Sequence, residues 1–122
     1  MTTTYGSVAG LQPHQIWSGT VARALHGERI SVGILDFEPL THVPDHRHDN
    51  EQLGLIVKGS ITMVIDGERR ELLVGDMYSI KGGIPHSGEA GPDGATVVDV
   101  YSIVRSDWNQ TPRLPVAKGH WP

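Results

Sequence analysis

Apolar and polar positions alternate along most of this chain in short runs, the pattern of strands with one buried face. Arg29 to Phe37 places Ile30, Val32 and Ile34 together on one face. Leu53 to Lys58 reads as a strand that Gly59 turns. Ser60 to Ile65 pairs with Arg69 to Val74 across Asp66-Gly67, because a two-residue type I′ turn needs positive φ at both central positions. Ile16 to Leu25 advances in β-compatible steps and closes at the His26-Gly27-Glu28 turn. Met77 to Lys81 is a short strand, and Thr96 to Val104 is the last one. Glu38 to Asp45, with Pro39 and Pro44, and the Gly/Pro-rich stretch Ser87 to Gly94 read as loops. No segment carries a helical period. Many short strands between regularly spaced turns predict an all-β sandwich or barrel, of the double-stranded β-helix or jelly-roll kind. One domain spans 1–122, with residues 1–12 as an N-terminal arm and 106–122 as a C-terminal tail.

Composition narrows the class. A chain of 122 residues fits one domain with a small core. The absence of cysteine excludes disulfides and thiolate metal sites. No apolar run approaches the roughly 18 residues of a membrane span, and the start lacks a charged-then-apolar leader pattern, so no membrane partner and a cytoplasmic location are expected. A net charge of −4 without a basic cluster argues against nucleic acid, and no helix-turn-helix pattern is attached. A small-molecule partner is the expectation. The Pro-rich tail with Trp108 and Trp121, together with the arm, predicts a homodimer in which the tryptophans find cover.

The chemistry concentrates in two segments, His46-Arg47-His48-Asp49-Asn50-Glu51-Gln52 and Gly75 to His86. Alternate residues of a strand share a face, so His46, His48 and Gln52 have one parity and can aim two imidazoles and an amide at one ion. His86 supplies a third imidazole from a neighbouring strand. Imidazole is the commonest ligand for first-row transition metals, and an amide oxygen adds a donor without charge. The expectation is one mononuclear divalent site; zinc, iron, nickel and manganese all suit such a shell. Glu51 has the opposite parity and reaches the same ion only where the strand bulges. An all-neutral shell leaves the ion's charge uncompensated, which favours anionic substrates. His14, His26, His42 and His120 read as surface residues.

In the last strand Val97, Asp99, Tyr101 and Ile103 share one face, and Val98, Val100 and Val104, on the other, look like core. An acid in such apolar company needs a partner or a task. It either bonds to a neighbouring backbone group or to Arg105, or faces a cavity with its pKa raised, ready to exchange protons.

The two segments resemble the two motifs of the cupin superfamily. The first is His-x-His, a Glu or Gln, then a Gly, matched by His46, His48, Gln52 and Gly59. The second is matched by Gly75, Gly83 and His86, with Lys81 where the family has Pro. The resemblance covers about residues 30 to 108 and implies a metal-containing jelly-roll barrel with Gln52 as fourth ligand. The run from Asp99 to Trp108 further resembles small cupins of the pectin-degradation type, which act on unsaturated uronates. That resemblance implies Asp99 as the proton-transfer group, Tyr101 as a cavity wall and Arg105 as the clamp for a substrate carboxylate. Gly54, two residues past Gln52, departs from that type by offering no side chain. The function read from the sequence is a metal-dependent isomerase or lyase acting on a small anionic sugar acid or enolisable carbonyl compound. An iron-dependent dioxygenase, a polyketide-type cyclase and a non-catalytic sugar- or effector-binding cupin are the alternatives.

Overall fold

The strands expected from alternation form, and two of them are far longer than the sequence suggests. A computed structural model describes residues 4–121; residues 1–3 of the expected arm and residue 122 of the expected tail lie outside the described residues. The strands are His14–Trp17 (β1), Thr20–His26 (β2), Ile30–Phe37 (β3), His42–His46 (β4), Glu51–Ile65 (β5), Glu68–Leu73 (β6), Met77–Ile80 (β7) and His86–Ser102 (β8). All pairings are antiparallel. β5 and β8 pair along almost their whole length and serve two layers of a jelly roll. In one layer the order is β1-β2-β3-β8-β5, with β7 added to the first half of β5. In the other, the first half of β8 pairs with β4 and the second half of β5 with β6. The chain turns the corner between layers at Gly59 and Gly94, where the β5–β8 register slips. Both have positive φ, and a Cβ on Gly59 would sit 2.0 Å from the Gly94 carbonyl oxygen. No side chain fits there.

Several expectations yield to tertiary pairing. Gly59 does not end a strand but bends one. Ser87 to Gly94 is not a loop, because β4 and β5 flank it and take its backbone hydrogen bonds. The stretch around Pro44 is likewise strand; it pairs on one side only and its register is irregular there, so the missing N–H is tolerated. Ile16 to Leu25 splits into β1 and β2 around Gly19. Val98 and Val100 are not core: they face outwards, and Val100 is 39% exposed. The inner face of β8 is Val97, Asp99 and Tyr101, all buried. Ile103 leaves that face and is exposed.

The tail contains a short 3-10 helix, Ser106–Gln110, which buries Trp108 against the barrel. Beyond it, Gln15 N–H donates to the Pro112 carbonyl and Leu114 N–H to that of Pro13, so the tail runs along β1. Arg23 Nε then donates to the Ala117 carbonyl, and the His120 amide donates to Asp36. The tail thus wraps its own barrel, and Trp108 is covered without a second subunit. His14 is no surface residue either; it is buried on β1 and bonded to Thr111. No helix among the described residues is long and apolar enough to cross a membrane.

Candidate metal centre

His46 ends β4 and His86 begins β8, directly opposite each other in the register. His48 lies in the link from β4 to β5, outside any strand, and still turns inward. The ring nitrogens His46, His48 and His86 offer all lie within 4.8 Å of one another. In each, Nδ1 is engaged by a backbone carbonyl: Pro44 for His46 at 2.8 Å, Asn50 for His48 at 3.0 Å, Ile84 for His86 at 2.9 Å. A carbonyl can only accept, so each Nδ1 carries the hydrogen and each Nε2 presents its lone pair. Bonds of this kind are how ligating imidazoles are oriented. Burial pushes His86 down to about 4 and lowers His48, so both rings are neutral and able to donate electrons at neutral pH. The link is itself pinned, because the Asn50 side-chain amide donates to the Ile103 carbonyl at 2.6 Å.

Gln52 is buried, and its Oε1 lies 3.1 Å from His48 Nε2; Glu51 next to it is exposed. Two neutral lone-pair donors facing each other beside two more imidazoles fit a cation. Gln52 Nε2 donates to Asp99 Oδ2 at 3.1 Å. Asp99 is fully buried and also accepts from Tyr101 at 2.9 Å and, through a short bond, from Tyr78. Its partners are therefore neither backbone nor Arg105, the two structural partners the sequence suggests. Burial pushes its carboxyl up to about 6, against the pull of those donors and of Arg105. Burial raises Tyr78 and Tyr101 well above the ordinary phenol value, which keeps both as O–H donors.

Tyr78 is the residue sequence reasoning missed. Gly54 stands between Tyr78 on β7 and Asp99 on β8 in the register, and a Cβ there would meet the Tyr78 ring at 2.1 Å. The empty position two residues past Gln52 is thus filled from the neighbouring strand. A glycine inside a strand pattern was the available signal, since it marks a close approach. Gly33, on the other side of Asp99, leaves room for Trp108 in the same way, with the ring 3.1 Å from where a Cβ would be.

Arg105 is buried, with its guanidinium 4.7 Å above the Tyr101 ring and 4.6 Å from that of Trp108. Its Nε and Nη2 fork onto Asp107, each at 2.9 Å, which leaves Nη1 for other acceptors. Trp17 meets His46 edge-on at 4.7 Å. One cavity of about 40 Å³ is lined by His46, His48, Gln52, His86, Asp99, Tyr101 and Arg105 together. About 10–15 Å³ suffices for one water, so the enclosed space holds an ion with a few small ligand atoms. Among the described residues the Trp108 indole N–H, in that wall, is buried without an acceptor.

Comparison with known proteins gives this architecture a family. A cupin domain profile matches residues 33–101. The pectin degradation protein KdgF of Dickeya dadantii is 33% identical over 64 residues, 52% of this chain and 58% of that protein. The chain thus spans little more than half the length of that relative. The HTH-type transcriptional regulator PuuR of Escherichia coli is 39% identical over 41 residues, 34% of this chain and 22% of the regulator. Among solved structures, KdgF from a Halomonas species superposes with a TM-score of 0.73 at 23% identity, over 78% of this chain and 88% of that one. An RmlC-like cupin from Shewanella frigidimarina superposes with a TM-score of 0.80 at 20% identity, over 87% and 96%.

Proposed function

The chain belongs to the cupin domain family, and from that premise we propose a metal-dependent enzyme that acts on a small anionic sugar acid or similar enolisable compound. The observation that carries this reading is the convergence of three Nε2 lone pairs and the Gln52 amide on one point, in the same cavity as a fully buried carboxyl group. His46, His48, Gln52 and His86 would hold one divalent ion, which supplies Lewis acidity towards substrate oxygens. Asp99 Oδ would take and return a proton at the carbon next to the substrate carbonyl. Arg105 Nη1, backed by two aromatic faces, would fix the substrate carboxylate, and Tyr101 would form the wall behind it. The likeness to a pectin degradation protein supports an unsaturated uronate as the first substrate class to try, with isomerisation or ring opening as the reaction. The short likeness to a transcriptional regulator favours a second reading, a binding domain for a small effector.

The test is turnover of an unsaturated uronate by metal-saturated protein. Wild type should convert it, and Asp99→Asn, measured at saturating metal, should be at least about a hundredfold slower, the scale of a lost acid–base group. His86→Ala should lose the metal. Tight uronate binding without conversion would replace the enzyme by the effector-binding reading. Iron in the protein, with oxygen consumed, would replace it by a dioxygenase.

We also infer a homodimer, placed differently from the sequence expectation. Val32, Val100 and Leu53 form one exposed outward row across β3, β8 and β5, with the half-buried Leu25 of β2 beside them, and Val98, Leu55 and Met77 form the next. Strands apolar on both faces are built for cover on both.

A further inference from the structure

The hydrogen bonds around Gln52 contain a conflict that the site reading does not use. His48 Nδ1 faces the Asn50 carbonyl at 3.0 Å, and His48 Nε2 faces Gln52 Oε1 at 3.1 Å. Both facing oxygens are acceptors. A neutral imidazole has one N–H, so either tautomer leaves one lone pair pressed against another. Turning the amide over would offer its NH2 to Nε2 and relieve the clash. That turn would set Oε1 against Asp99 Oδ2, where Nε2 now donates at 3.1 Å.

The carboxylate cannot step aside. Tyr101 donates to Oδ2 at 2.9 Å, and Tyr78 holds Oδ1 from the space above Gly54. The Gln52, Tyr78 and Tyr101 donors therefore all point at Asp99, and the Gln52 oxygen is left facing His48 Nε2. A cation between Nε2 and Oε1 satisfies both at once. The carboxylate is what forbids the amide its alternative orientation.

We propose that Asp99 is a positioning residue for Gln52: braced by Tyr78 and Tyr101, it holds the amide oxygen towards the imidazoles and so sets cation affinity, separately from any proton it moves. This rests on reading His46, His48, Gln52 and His86 as a metal set. Orienting partners of metal ligands are typically worth about 10–100-fold in affinity. In Asp99→Asn the new side chain can offer NH2 to Oε1, the Gln52 amide can turn, and its own NH2 can then cap His48 Nε2 in place of the ion. A carboxylate at position 52 has no such freedom, since both its oxygens accept.

The experiment is a zinc dissociation constant for the full chain, measured by competition with a chromogenic chelator. Wild type, Asp99→Asn, Gln52→Glu and the double variant are compared, with thermal unfolding as a check on folding. Asp99→Asn should bind zinc about 10–100-fold more weakly than wild type. In the Gln52→Glu background the same replacement should cost nothing, or improve binding by removing a like charge. Tyr78→Phe, which loosens one brace and leaves the carboxylate, should lose less than Asp99→Asn; it also serves if Asp99→Asn does not fold. Wild-type affinity in Asp99→Asn, or an equal loss in both backgrounds, overturns the positioning role and leaves the metal set standing. Absence of zinc binding by wild type overturns the metal set and this role with it.

Discussion

Asp36 and Asp99 are buried alike, at 4% and 1% exposed, and the barrel holds them in opposite ways. Asp36 faces outward from β3 beneath the tail. It pairs with Arg23 at 3.0 Å, both side chains 5% exposed, and accepts from the Thr96 hydroxyl and the His120 amide. Asp99 faces inward from β8, and its three hydrogen-bond partners are two phenols and an amide. A full counter-charge and the His120 amide make Asp36 a clasp for the tail. Neutral donors stabilise the Asp99 carboxylate less than burial destabilises it, so its carboxyl is pushed up to about 6. The same residue type, at the same depth, meets a full counter-charge in one place and only neutral donors in the other. The kind of partner, not the depth, separates them.

The largest effect should come from the clasp. Arg23→Ala leaves Asp36 buried without its cation, which should cost about 3–5 kcal/mol in urea unfolding. Arg23→Met with Asp36→Leu should recover most of that. A loss near the 1 kcal/mol of a surface pair would mean that Asp36 is not held as described.

Next comes pH. Asp99 has its carboxyl raised from 3.8 to about 6, so the folded chain binds a proton that the unfolded chain has released. Its contribution is then fullest below about pH 4 and is lost as pH rises through about 6. In metal-free protein the decline should be on the order of 3 kcal/mol, and Asp99→Asn should flatten it. A rise in stability over that window, present in wild type and absent from Asp99→Asn, would contradict the assignment.

The smallest effect concerns the outer face beyond the tail. Leu53→Lys should reduce a dimer to the 13.3 kDa chain in light scattering, with metal content unchanged. A wild type that already scatters as the single chain at micromolar concentration removes the dimer.

Much of the barrel was legible because alternation and turn chemistry are local. The Asp66-Gly67 hairpin forms with positive φ at both residues, and β3 and the β5–β6 pair lie close to where they were expected. Ser87 to Gly94 was not legible, since its Gly and Pro content signals a loop and only flanking strands make it β8. The outward valines look like core from their parity alone, and which face is interior depends on where the sheet curls. In the site, the candidate residues do share one cavity. Yet His48 reaches it from a link rather than a strand, and strand parity has no bearing there.

By itself the sequence determined the β architecture, the family and the short set of residues worth watching, because strand period, turn residues and motif spacing are read along the chain. The tertiary structure decided what those residues do to one another. It brought Tyr78 through the gap at Gly54 onto Asp99, gave Arg105 to Asp107 and two aromatic rings, and set the Gln52 amide between a carboxylate and an imidazole. Those partners are far apart in sequence, and hydrogen-bond direction and burial exist only once the barrel has closed around them.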